Sequence, residues 1–95
     1  MHRAFYRTRA DAGAVVHLHS TMATAVGCLP DVDAANPIPP LTPYFVMKVG
    51  HVPHLPYFRP GDPRAADAVE RAIAQYAGRG LNLRAVMLAR LGPNV

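Results

Sequence analysis

Two apolar runs separated by a longer amphipathic segment dominate the pattern of hydrophobic and polar positions along the chain. Ala14–His19 begins with alanine and two valines, and Ala85–Ala89 is apolar throughout. Continuous apolar runs of this length predict strands that are buried on both faces. Between them, residues 63–77 carry apolar side chains at steps of three and four positions, which predicts an amphipathic helix. Strands that alternate with helices indicate an α/β domain, in which we expect the two strands to be neighbours.

Capping residues, glycines and prolines predict the bounds of the helices. Asp62 is a favourable N-cap and Pro63 suits the first helical position, so the long helix is expected to start there and to end near Ala77, before two glycines. His2–Arg9 is expected to be the end of another helix. Ser20 or Thr21 is expected to cap a short helix over residues 22–29.

Prolines exclude regular structure from two further stretches. Residues 30–40 contain four prolines, which predicts a rigid loop. His51–Phe58 contains two more and cannot be a central strand, because proline donates no hydrogen bond to a sheet. We expect an edge strand or an extended segment there. Residues 44–48 form a short apolar piece of unassigned type.

Length and composition restrict the class of protein. The 95 residues suffice for a single domain, and 51% hydrophobic with 17% charged residues is a globular balance. The net charge is +4, but the basic residues are scattered and not interleaved with aromatics, which argues against nucleic-acid binding. No apolar run is long enough to cross a membrane and no signal peptide is recognisable, so a cytoplasmic location is expected. With one cysteine, Cys28, the chain has no internal disulfide and no cysteine metal cluster.

His17 and His19 form a His-x-His pair at the carboxyl end of the first predicted strand. Residues i and i+2 of a strand face the same side, about 6.6 Å apart at the backbone, so two imidazoles can converge on one ion. Neutral imidazole is a good ligand for zinc. The alternative is a pair of unrelated histidines. A catalytic site usually has three protein ligands, so a third must come from elsewhere. Of the remaining histidines, His51 and His54 are expected at the surface, and His2 is unassigned.

Four segments together resemble the class II aldolase/adducin family, and within it the 3-oxo-tetronate 4-phosphate decarboxylase branch. Ala12–Thr21 resembles the family's metal-binding strand. Pro39–Tyr44 and Leu55–Pro63 follow in the family's order and at suitable spacing. Val86–Pro93 resembles the strand that closes the site. The resemblance covers nearly the whole chain.

The resemblance implies a three-layer α/β/α class II aldolase-like fold, present here as one partial domain over residues 1–95 and truncated at both ends. It implies a metal-dependent carbon–carbon lyase of carbohydrate metabolism, acting on a short sugar-acid phosphate and assembling as a homo-oligomer. His17 and His19 would hold a divalent metal, and the resemblance implies that it is zinc. Such a cation polarises the substrate's ketone and stabilises the charge that bond cleavage leaves.

The sequence departs from the family at the other functional positions. The family's third histidine ligand lies in Asn-His-Gly, where this chain has Arg90-Leu91-Gly92. The acid/base glutamate and the glycine-rich phosphate-binding strands lie upstream of Met1 in the family. No residue therefore inherits a catalytic role, and substrate-binding residues are unassigned. Tyr44 and Tyr57 are expected to pack the loops against the sheet.

Three interpretations remain open from the sequence. The chain is part or a shortened relative of a lyase, a non-catalytic adducin-like interaction domain, or a truncated inactive copy. The likeness of the four segments favours the first, and the missing metal ligand and base favour the other two.

Overall fold

The structure is a computed structural model that describes residues 1–89 and the backbone of residues 92–94. It contains four helices and three short strands within that part of the chain. In chain order they are α1 His2–Thr8, α2 Thr21–Gly27, α3 Pro43–Lys48, β1 His54–Leu55, α4 Pro63–Ala77, β2 Val86–Leu88 and β3 Gly92–Asn94. Strand and helix alternate as predicted only at β1, α4 and β2.

The three strands form one sheet with β2 in the middle. β1 pairs with β2 in parallel, with His54 opposite Met87, and β3 pairs with β2 in antiparallel orientation. The predicted strand at residues 85–89 is confirmed as β2, and the proline-rich segment supplies only the edge strand β1. Proline is tolerated at a sheet edge because one side of an edge strand needs no donor.

Helices cover both faces of β2, which gives the predicted three-layer architecture. Val86 and Leu88 point into a cluster formed with α1 and α4, whereas Ala85 and Met87 point into a second cluster that includes side chains of α2 and α3. Successive residues of a strand face opposite sides, so a strand that is apolar at every position needs both layers. All three side chains of β2 are buried.

The long helix α4 begins and ends as its sequence predicts. The Asp62 side chain accepts a hydrogen bond from the backbone N–H of Arg64, and Pro63 occupies the first turn. Gly80 lies beyond the helix at φ +72°, a conformation that glycine adopts without strain. The buried side of the helix follows steps of three and four residues. Its members are Ala68, Val69, Ala72, Ile73 and Tyr76.

The strand predicted over Ala14–His19 is wrong. Only His17 makes a bridge of the β type, and Val16 and Leu18 are 47% and 49% exposed. A strand has two edges, and both edges of β2 are occupied by β1 and β3 in this structure. The segment therefore runs as an exposed extended chain, not as a buried neighbour of β2.

The shorter predictions have mixed outcomes. The helix at α2 and the absence of helix or strand over residues 31–40 are confirmed. The unassigned piece at residues 44–48 is helical: Thr42 caps α3 through its hydroxyl and Pro43 starts the first turn. Tyr44 and Tyr57 do not pack loops against the sheet as predicted, since they are 75% and 48% exposed. Phe45 and Phe58 provide that packing instead.

We expect Met87→Ala to destabilise the domain strongly. Met87 is fully buried in the centre of the sheet, and removal of such a side chain leaves a cavity that costs about 2–5 kcal/mol. Thermal or urea unfolding of the variant measures the change. Met22→Ala is the matched control, because Met22 is 80% exposed on α2 and its loss should leave stability almost unchanged. Equal stability of the two variants would contradict the packing described.

Candidate metal centre

His17 and His19 converge as the two-residue spacing predicts. Their Nε2 atoms are 3.0 Å apart and their ring centroids 4.6 Å apart. A tetrahedral zinc ion with Zn–N bonds near 2.0–2.1 Å holds two ligand nitrogens about 3.3–3.4 Å apart. The observed separation is within a few tenths of an ångström of that value. The two residues therefore fit two corners of a tetrahedral zinc site.

The other ring nitrogen of His17, Nδ1, has unusual surroundings for a metal ligand. Its Nδ1 is buried and has no hydrogen-bond partner among the described residues. Metal-binding histidines normally donate this second N–H to an acceptor, which fixes the ring and its tautomer. In the described part of the chain nothing on the Nδ1 side fixes the tautomer of His17. A partner at Nε2, such as His19 or a shared cation, would have to do so.

The histidine segment is tied to the rest of the domain at its base. Arg9, just after α1, donates to both carboxylate oxygens of Asp11 and also to the carbonyl of Leu83. Leu83 is buried and lies three residues before β2. Val15 packs against the cluster formed by α1 and α4. The segment is thus anchored up to Val15, and the two histidines follow directly after this anchor.

The Arg9–Asp11 pair predicts a dependence of stability on acid pH. The Arg9 guanidinium lowers the pKa of the Asp11 carboxyl from 3.8 to about 2. A carboxyl whose pKa is lower in the folded state stabilises the fold above its ordinary pKa, and this contribution is lost as the pH falls through 4 towards 2.

We therefore expect the melting temperature of Asp11→Asn to lie below that of the unaltered chain at pH 6, and the difference to vanish near pH 2. Melting curves across this range measure it. Asp67→Asn is the control, since Asp67 is an exposed residue of α4 and makes no ion pair within residues 1–89. A difference that grows towards pH 2 would contradict the assignment.

The structure brings one further histidine to the pair. The His2 ring, at the start of α1, lies edge-to-face with His17 at a centroid distance of 6.5 Å. His51 instead contacts the Tyr76 ring, and His54 lies in β1. The sequence provides no local signal for His2, because its proximity depends on how α1 packs in the fold. As the rings stand, no three His, Cys, Asp or Glu side chains within residues 1–89 are close enough to hold an ion.

Two carboxylates, one in the middle of α4 and one at its N-cap, are engaged elsewhere. Glu70 pairs with Arg7 across α1 and α4, and Asp62 pairs with Arg64. The positions that correspond to the family's third ligand, Arg90 and Leu91, lie outside the described residues. Within the described helices, none is long and apolar enough to cross a membrane.

Known proteins resemble the chain over its whole length. Residues 1–95 match the class II aldolase and adducin N-terminal domain. The 3-oxo-tetronate 4-phosphate decarboxylases of Cupriavidus necator and Escherichia coli K12 are 47% and 46% identical to it, over 100% and 99% of the chain. The chain spans 41% of the length of each of these relatives.

Solved structures show the same likeness. The crystal structure of YgbL from Escherichia coli, described as an aldolase/epimerase/decarboxylase, superposes with a TM-score of 0.86 at 45% identity. YgbL from Klebsiella pneumoniae superposes with a TM-score of 0.83 at 46% identity. The alignments cover 99% of this chain and 42% of each of those chains. By sequence and by fold, the chain belongs to the class II aldolase and adducin family.

Proposed function

We propose that residues 1–95 form a partial domain of a metal-dependent carbon–carbon lyase, and that His17 and His19 are two of its metal ligands. The proposed reaction is decarboxylation of a sugar-acid phosphate such as 3-oxo-tetronate 4-phosphate, in cytoplasmic carbohydrate metabolism. The reaction is suggested by the names of relatives that are 46–47% identical over almost the whole chain.

The 3.0 Å separation of the two Nε2 atoms carries the proposal for the site. The two imidazoles meet at nearly the distance that one tetrahedral ion requires, which is also a distance at which one Nε2–H can donate to the other Nε2 when no ion is bound. Zinc is one of the divalent cations that suit two neutral imidazoles. When bound, a divalent cation polarises a carbonyl oxygen of the substrate.

The contribution of this chain is to hold and orient the ion. His17 and His19 would bind through Nε2, and the Arg9 anchor would tie their segment to Leu83, just before β2. No carboxylate lies close enough to join the pair within residues 1–89, so no group described there is assigned to move a proton.

Zinc titration of the purified chain tests the site. We expect measurable zinc binding, and its loss in the double variant His17→Ala, His19→Ala. The matched control is His51→Ala, His54→Ala, which removes two histidines that the structure places elsewhere and should leave zinc affinity unchanged. Equal affinity in the unaltered chain and the His17, His19 variant would refute the assignment.

A second function, a non-catalytic interaction domain, is favoured by the exposed apolar side of α3. Tyr44 and Met47 are 75% and 71% exposed, and residues three apart on a helix are neighbours. Apolar patches of this kind often mark surfaces that contact other proteins. We propose a second copy of the same chain as the occupant, in agreement with the homo-oligomer that the family resemblance implies.

A further inference from the structure

We propose that His2 is a third metal ligand, which completes a His2–His17–His19 site in this chain. This inference rests on the proposed His17–His19 pair and adds a ligand from a different element. It would replace the histidine ligand that the family carries where this chain has Leu91.

The relative position of the rings supports this assignment. Two imidazoles on one tetrahedral zinc ion have their centroids about 5–5.5 Å apart, given Zn–N bonds near 2.0–2.1 Å. The His17–His19 separation is 4.6 Å, and the His2–His17 separation is 6.5 Å. To share an ion with His17, the His2 ring therefore needs to come about 1–1.5 Å closer to the His17 ring, which a change of its side-chain torsions can provide.

The surroundings permit that movement. His2 is exposed and makes no hydrogen bond through its ring in the described part of the chain, so no existing bond has to be broken. Its backbone is held by α1, which packs through Ala4 and Phe5 against α4. The exposed side chain is thus attached to a backbone that is held beside His17. A ligand from a packed helix, added to a pair on an extended segment, would fix the ion position from two different elements.

The perpendicular packing of the rings also suits a shared ion. The His2 and His17 planes meet at 83°, and the His17 and His19 planes at 76°. Edge-to-face packing alone would give similar angles, so the experiment has to separate ring packing from coordination. His2→Phe does this, because it keeps an aromatic ring against His17 and removes both nitrogens.

Zinc and cobalt titrations of the full chain test the inference. We expect His2→Ala and His2→Phe each to weaken zinc binding about tenfold or more, with melting temperatures in the absence of metal close to that of the unaltered chain. His51→Ala is the matched single-histidine control and should bind zinc as the unaltered chain does. Zinc X-ray absorption should count three imidazoles in the unaltered chain and two in His2→Phe.

The possible results distinguish the claim that His17 and His19 bind the ion from the claim that His2 is a third ligand. If His2→Phe binds zinc as tightly as the unaltered chain and both show two imidazoles, His2 is not a ligand, and the His17–His19 pair stands. If the unaltered chain binds no zinc, or if His17→Ala, His19→Ala binds it equally well, the pair and the third ligand both fail. Weaker binding by His2→Ala that His2→Phe restores would show ring packing and also overturn the inference.

Discussion

Purified chain supplied with zinc is expected to release no measurable carbon dioxide from 3-oxo-tetronate 4-phosphate. Within residues 1–89 no carboxylate joins the histidine pair, so the site has no neighbouring acid or base. General acid–base catalysis typically contributes about 10²–10⁴-fold to a rate. Leu91 also stands where the family has a histidine, and its side chain has no lone pair to donate to a metal. Either loss alone would lower turnover severely.

Two variants, one of this chain and one of a family member, test the role of the position of Leu91 in this prediction. Leu91→His in this chain is expected to tighten zinc binding without restoring turnover, because it adds a ligand and no base. The reciprocal change, leucine for the histidine of the Asn-His-Gly sequence in a family member that has it, is expected to abolish most of that enzyme's activity. Carbon dioxide release by the unaltered chain would show that it has a catalytic group we have not identified. Full activity of the altered relative would contradict the role given to this position.

A helix or strand could be predicted from the sequence where the residues that determine it lie within its own segment. Helix α4 has an Asp-Pro start, an apolar side and a glycine end within its own sequence, so its bounds were predictable from those residues alone. Strand β2 was predictable because a run that is apolar at every position requires cover on both faces. Helix α3 was not assigned in advance, although Thr42 and Pro43 form a cap and first turn of the same kind as Asp62 and Pro63.

The histidine segment shows where local pattern fails. Val15 and Val16 favour a strand by their side chains, but a strand also needs a free edge, and β1 and β3 occupy both edges of β2. Whether the edges of β2 are occupied depends on the other strands of the sheet, so it cannot be predicted from the six residues of Ala14–His19. The convergence of His17 and His19 was still predictable, because it needs only an extended backbone over three residues. The approach of His2 depends on helix packing, so the sequence alone did not predict it.

At moderate concentration the chain is expected to self-associate and to melt over a broad range. Its accessible surface is 6145 Å², whereas a folded monomer of this size exposes about 5,400 Å². Part of the excess is apolar: Leu41, Tyr44 and Met47 are each more than 70% exposed, with Tyr44 and Met47 three residues apart on α3 and Leu41 just before the helix. Burying such side chains between copies removes apolar surface from water, which favours association by about 25 cal/mol per Å² before the entropic cost of association.

Sedimentation over a range of concentrations measures this association, and a charged variant locates it. Tyr44→Lys with Met47→Lys is expected to shift the chain towards monomer, because two ammonium groups cannot be buried unpaired in a contact. Leu29→Lys is the matched control, since Leu29 is 57% exposed outside α3 and should leave association unchanged. A sharp, concentration-independent melt of a monomer would refute the prediction. Equal association of all three proteins would place the contact elsewhere on the chain.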